Sequence, residues 1–198
     1  MMDKVQRSSF YEKLYFYELE RREKISARLA IPFGVIVATI GLLSFMLNAA
    51  EKPGAEPFRS LFWLLLASAA VALAVGAWFF RKAWFGHTDK LLPTAGHLEA
   101  YYRELQETYK SYENADQLVK EAFNDALFNY FTEYSSENAI SNDARSYNIY
   151  RATASLTVAV FLAFLAAVPF FFGASQVPGA KHGVTQSPSA TTSPTTRP

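Results

Sequence analysis

The sequence predicts an all-α integral membrane protein: three transmembrane helices, a cytoplasmic helical hairpin resembling an antiparallel coiled coil, and a disordered C-terminal tail. Three observations carry this expectation. Uncharged blocks run over Leu29–Leu47, Ser60–Phe80 and Ala152–Gly173, each near the roughly 20 residues that a helix needs to cross a hydrocarbon layer. Lys and Arg fall unevenly between them, seven before the first block, two in 48–59, eight in 81–151 and two after the third, together the 19 of the chain. Leu98, Tyr102, Leu105, Tyr109 and Tyr112 recur at alternating steps of four and three, which keeps one seam against a partner helix. Hydrophobic residues make up 51% of the 198 but charged residues only 19%, so apolar and charged residues are segregated in blocks rather than striped.

Residues 1–28 predict an amphipathic helix. Ser9 and Glu12 stand at the capping-box spacing, and Phe10, Leu14 and Tyr17 follow at helical spacing before the charged "ERREK". Acids and bases are interleaved, so there is no strong positive face to draw the segment onto anionic lipid, and packing on other helices is expected. Transmembrane helix 1 is placed at 29–48, with Arg28 before it and Pro32 in its first turn, where a missing amide costs little. The segment ahead of it is too long and too acidic for a secretory leader, so the span is expected to be retained.

A short external loop occupies 49–59 and transmembrane helix 2 occupies 60–80. Trp63 near one end, and Trp78, Arg81, Lys82 and Trp84 at the other, mark the levels where indoles and snorkelling cations prefer to sit. The region 81–151 is the predicted hairpin. It opens on a joint broken by Gly86, Pro93 and Gly96, and reverses near 113–116, the midpoint between the chain's exit at Arg81 and its return at Arg151. The returning arm is expected to run unbroken for about 84 Å, with "YSSEN" at Tyr134–Asn138 as the place for a kink. Transmembrane helix 3 is placed at 152–173, with Pro169 near its end, and 174–198 is a Ser, Thr and Pro-rich external tail unable to bury enough apolar area to order. Because bases are retained inside, the N-terminus is expected in the cytoplasm and the C-terminus outside a plasma or inner membrane.

Two sets of residues are candidate sites. Asn138, Asn142 and Arg145 lie at i, i+4 and i+7 on one helical face, a donor-rich stripe suited to a ligand phosphate, to a partner's carboxylate, or to hydrogen bonding between helices. Small residues step by four in each span: Ala30, Gly34 and Ala38; Ser68, Ala72 and Gly76; Ser155, Ala159, Ala163 and Ala167. Such rows allow close helix approach where lipid removes the hydrophobic drive, so self-association or union with another membrane protein is expected.

No catalytic, cofactor or metal site is expected. "GASQV" lacks the last Gly of a nucleophile elbow, "HLEAY" lacks the second His of a zinc helix, and His87, Asp89 and His97 stand at no ligand spacing. The chain has no cysteine for a disulfide or thiolate site. A net charge of +1 with interleaved acids gives no footprint for nucleic acid. The expected role is therefore a non-catalytic one exercised through protein contacts, as adaptor, scaffold or accessory subunit. In layout, helical cytoplasmic parts beside a transmembrane hairpin, the chain resembles the SLATT-type effectors of bacterial conflict systems, though it adds a third span and a tail. That resemblance implies the alternative of an oligomerising, membrane-disrupting effector triggered through its cytoplasmic helices.

Overall fold

A computed structural model describes residues 2–49 and 58–174; positions 50–57 of the loop expected over 49–59, and 175–198 of the tail expected over 174–198, lie outside them. The described residues form five helices and no strand: α1 (Lys4–Arg28), α2 (Ala30–Ala49), α3 (Phe58–Trp84), α4 (Ala95–Tyr109) and α5 (Ala115–Ala174). Three runs are long and apolar enough to cross a membrane, Lys4–Asn48, Arg59–Trp84 and Ala115–Phe171.

The first run is two helices in near continuity. Only Leu29 separates α1 from α2, and its backbone is itself right-handed helical (φ −68°, ψ −21°). The α1 cap differs from the one expected at Ser9. Asp3 caps the helix, accepting from the Val5 amide at 2.6 Å, while the Gln6 side chain accepts from the Asp3 amide at 3.2 Å. The same reciprocal motif is present six residues earlier, and Lys4–Ser8 contains no breaker, so the helix starts there and Ser9 lies inside it. The Phe10, Leu14, Tyr17 stripe is also not the buried one. The face turned inward is Tyr11, Tyr15, Glu18, Arg22, Ile25 and Leu29, continuing through Pro32, Ile36, Thr39, Leu43 and Met46 of α2. Those steps alternate four and three without interruption, as coiled-coil seams do.

The same period governs the other long helices. In α3 the inward residues are Phe62, Leu66, Ala69, Leu73, Gly76, Phe80 and Ala83. In α5 they are Phe131, Ser135, Asn138, Asn142, Arg145, Ile149, Ala152, Leu156, Ala159, Ala163 and Ala166. α5 is thus one helix of 60 residues, about 90 Å long; its inward side begins apolar with Val119 and Phe131, carries the polar residues Ser135, Asn138, Asn142 and Arg145 around its middle, and is apolar throughout its second half from Ile149 on. It does not break at Ser135–Ser136; Ser135 instead bonds back to the Thr132 carbonyl at 3.1 Å.

The apolar half of α5 packs antiparallel on α3 and parallel to α2. Phe170 meets both Phe62 (5.8 Å between centroids) and Phe45 (6.3 Å) at one end of the bundle, and Arg151 lies over Phe79 at the other. The core is Leu43, Met46, Phe62, Leu66, Leu73 and Leu156, with Ala69, Ala159, Ala163 and Ala166 between them. Thr39, buried in α2, donates to the Val35 carbonyl at 2.7 Å, so its hydroxyl costs nothing in an apolar layer. On the polar half, α1 lies parallel to α5, Tyr11 against Phe128 and Tyr15 against Phe131. α4 lies on the start of α5 through Tyr101 and Tyr102 against Phe123, with Leu98, Leu105 and Tyr109 also turned inward. The reversal between α4 and α5 occupies 110–114.

Candidate functional site

α4 has 15 residues, far fewer than the stretch of α5 below the apolar core. The segment 85–94 makes up the distance by running extended along α5. α3 ends with the Phe85 amide on the Arg81 carbonyl, and Gly86 turns the chain at φ +85°, a left-handed angle that other residues resist. An extended segment with no strand beside it leaves its peptide groups unpaired. Here side chains of α5 and α1 serve them. The Asn138 side chain donates to the Lys90 carbonyl at 3.0 Å and accepts from the Lys90 amide at 2.9 Å, closing a two-bond ring on the backbone of one residue. The Leu92 amide donates to the Tyr15 hydroxyl at 3.1 Å. Thr94 then caps α4, accepting from the His97 amide.

The next two positions of the stripe complete a three-way junction. Asn142, fully buried, donates to the Glu18 carbonyl at 2.8 Å and to the Glu18 carboxylate at 3.0 Å. Arg145 donates to Asp89 at 3.3 Å and approaches the His87 carbonyl at 3.5 Å, while Arg22 of α1 reaches the same Asp89 oxygen at 3.0 Å. Arg21 bridges Asp143 (2.5 Å) and Glu18 (3.4 Å). The Arg21 guanidinium is raised above its ordinary value, first by the hydrogen bond to Asp143 and further by the charge of Glu18, against the opposing effect of burial. A raised cation stabilises the fold below its ordinary pKa and loses that contribution only as pH climbs through the raised value, so this bridge is constant across the neutral range. Two buried oxygens, Asn142 Oδ1 and Ser141 Oγ, have no partner among the described residues.

The structure therefore brings Asn138, Asn142 and Arg145 together and turns all three onto the chain's own groups. The carboxylate that Arg145 meets is Asp89, and the anion beside Asn142 is Glu18. Burying a charge is costly unless it is paired and hydrogen-bonded, and the cluster meets that requirement by drawing one partner from each of three segments. Glu18, Arg22, Asp89 and Tyr15 are the members that helical periodicity missed. For the three on α1 the signal was present in the four-and-three step through Tyr11, Tyr15, Glu18 and Arg22, which places two charged residues on an otherwise apolar seam; Asp89, in the non-helical 85–94 segment, has no such periodic signal. His87 points back, its Nε2 2.9 Å from the Lys82 carbonyl, and no group of three metal-ligating side chains occurs among the described residues.

The small-residue rows divide. Gly76 is buried, and a Cβ there would lie 2.8 Å from Leu156 Cγ and Cδ2, so the close approach of α3 and α5 requires glycine. Ala159 and Ala163 are buried on the facing helix, whereas Ser68, Ala72, Ser155 and Ala167 are only half-buried. A step of four advances 40° beyond a full turn, so such a row drifts off the contact line within two or three steps; the alternating step holds it. Hence Ala69, Ala152 and Ala166, outside the expected rows, are buried. Ala30, Gly34 and Ala38 all face outward, and among the described residues a Cβ at Gly34 would have no neighbour within 4 Å apart from its own stretch of helix. α2 packs instead through Thr39, Leu43 and Met46.

Comparison with protein-family models, with curated proteins and with solved structures yields no match.

Proposed function

We propose that this chain is a multi-pass protein of a plasma or inner membrane, its N-terminus and the 81–151 hairpin in the cytoplasm and its C-terminus outside, acting by protein contacts as an adaptor, scaffold or accessory subunit. The orientation rests on the high, low, high, low distribution of Lys and Arg. The observation that carries the role is the outer face of α1. This helix buries Tyr15, Glu18 and Ile25 against the rest of the chain but leaves Phe10, Phe16 and Tyr17 53–57% exposed, in a segment that this topology places in water. Burying a large apolar side chain is worth about 1.5–3 kcal/mol, and aromatic residues dominate the energetics of protein interfaces. Because α1 runs into α2 across a single helical residue, and α5 crosses from the polar to the apolar half without a break, a partner on α1 would be held rigidly to the spans.

A photo-cross-linking residue placed at Phe16 or Tyr17 in growing cells tests this reading. Discrete higher-mass protein adducts are expected at both, with none from the same probe at the exposed Gln106 on α4. Adducts equal at all three positions, or absent from all, would refute it. The continuity of α5 also favours a second reading, a triggered membrane-disrupting effector, because motion of the hairpin would be delivered directly to the span. Collapse of membrane potential on induction in a bacterial host, abolished by Phe10→Ser and Phe16→Ser together, would select the effector; growth at unchanged potential would select the adaptor.

A further inference from the structure

The end of α3 carries an arrangement that the helix bundle does not use. Trp78, Arg81, Lys82 and Phe85 lie at i, i+3, i+4 and i+7 and line a shallow depression of about 260 Å³. Both cations converge on one indole: the Arg81 guanidinium carbon is 6.0 Å and Lys82 Nζ 5.4 Å from the Trp78 ring centroid. Neither is paired with a carboxylate among the described residues, although most other cations near the polar half of the molecule have one. Two like charges drawn to one ring repel each other, and the negative end of the helix backbone offsets that repulsion only in part. An anion seated beside the ring would be met by both.

The chemistry above the depression says what kind of anion. Val71 (65% exposed), Val75 (42%) and Trp78 (53%) continue the same outward face toward the middle of the span, an apolar track of about 10 Å rising from a doubly cationic foot. A free phosphate would use only the foot. A phospholipid uses both, its phosphate between Arg81 and Lys82 and an acyl chain along Val75 and Val71, with the indole at the level between them. We propose that this face is a binding site for an anionic phospholipid of the leaflet facing residues 81–151, selected over zwitterionic lipid because a choline or ethanolamine group would return a positive charge to the two cations. The site rests on the membrane reading above and not on the adaptor role.

The test uses the full chain carrying Trp63→Phe and Trp84→Phe, so that Trp78 is the one indole, in nanodiscs of phosphatidylcholine containing a small fraction of lipid brominated on the acyl chain. Quenching by brominated phosphatidylcholine establishes that Trp78 is in lipid; its absence would refute the membrane reading itself. Given that quenching, brominated phosphatidylglycerol is expected to quench more strongly at equal mole fraction, with an association preference of roughly five-fold for each cation engaged. Arg81→Gln with Lys82→Gln should reduce the preference to unity, whereas Arg28→Gln, a cation assigned to the same leaflet on another helix, should leave it intact. Equal loss in both variants would show a general surface potential rather than a site, and no preference in the parent chain would equally overturn the proposal. Displacement of the phosphatidylglycerol effect by inorganic phosphate at matched ionic strength would reassign the foot to a soluble anion. Retention of the effect supports the lipid.

Discussion

Replacing Asn142 with Asp changes one nitrogen to an oxygen and leaves the shape of a buried side chain almost unaltered, so its consequence is electrostatic. The new oxygen would stand where Nδ2 now lies, 3.0 Å from the Glu18 carboxylate and 2.8 Å from the Glu18 carbonyl. Two unit charges at that separation repel by roughly 5 kcal/mol at an effective dielectric constant near 20, and the two donated hydrogen bonds are lost as well. Relaxation and proton uptake will reduce this, and a destabilisation of about 3–6 kcal/mol near pH 8 is expected. Asn142→Ala gives the comparison. It forfeits a bond of about 1 kcal/mol to a carbonyl and one of about 1.5–3 kcal/mol to a carboxylate, but it also removes the unpartnered Oδ1, whose burial costs about 1–3 kcal/mol. Its net cost is therefore about 1–2 kcal/mol. At about 2–4 °C per kcal/mol for a chain of this size, the Asp variant should melt roughly 10–20 °C below the parent in detergent and the Ala variant roughly 2–8 °C below. The pH dependence separates mechanism from mere damage. In the Asp variant the facing carboxyls are relieved by sharing one proton, so the folded state binds more protons than the unfolded chain and stability falls as pH rises. Lowering the pH from about 8 to about 5 should bring the Asp variant toward the Ala variant, the protonated carboxyl again donating to Glu18. An Asp variant as stable as the Ala variant near pH 8, or one indifferent to pH, would show that Glu18 and Asn142 do not meet as described.

The α3–α5 seam makes a second prediction: Gly76→Ala meets Leu156 at 2.8 Å, and about 1–3 kcal/mol of overpacking outweighs the roughly 1 kcal/mol gained in helix propensity. Gly76→Ala should therefore lower the melting temperature in the parent chain but raise it in a Leu156→Ala background, a sign reversal that a double-mutant cycle measures. Arg145→Ala should cost about 1–3 kcal/mol, since Asp89 keeps Arg22 but loses a half of its pairing, and hydrogen exchange at 87–90 should accelerate; protection unchanged there would refute the junction. Asn138→Ala, which strips both bonds from the Lys90 backbone, should open 85–94 to limited proteolysis while α3 and α5 stay resistant, and cleavage no faster than in the parent would show that the segment is held by other contacts. Asp3→Ala should fray only the first turn of α1 and cost about 0.5–2 kcal/mol, read as a small loss of helical circular dichroism without a change at the junction.

Much of the architecture was legible because it depends on quantities that add along the chain. The length of an apolar run sets whether a helix can reach across a bilayer, and three such runs are plain in the residues. Of the expected Leu98–Tyr112 seam, the part through Tyr109 turns inward, because a four-and-three step needs no partner to be recognised, whereas Tyr112 falls in the 110–114 reversal and is exposed. Asn138, Asn142 and Arg145 were found as one face, since i, i+4 and i+7 share a side of any helix. Which of several adjacent stripes would turn inward was not determined by the same reasoning. Phe10, Leu14 and Tyr17 make as good a stripe as Tyr11, Tyr15 and Glu18 by spacing, and more apolar. The position of Asn142 beside Glu18, of Phe128 and Phe131 beside Tyr11 and Tyr15, and of the Leu92 amide on the Tyr15 hydroxyl makes this less apolar stripe the inward one, and Phe10 and Tyr17 are left exposed.

Propensity, hydropathy and breakers act over a few neighbouring residues, so the residues alone were enough to read a helical chain, three runs long and apolar enough for a membrane, and the positions where most helices stop. Tertiary structure decided what each face is for. Residues 124 positions apart, Glu18 and Asn142, are hydrogen-bonded to each other, and Gly76 lies under Leu156 while Gly34 faces no other described helix within 4 Å. Burial and hydrogen bonding are relations between segments, and a residue's own identity gives only its capacity to enter them; the partner that fills that capacity is assigned when the helices pack.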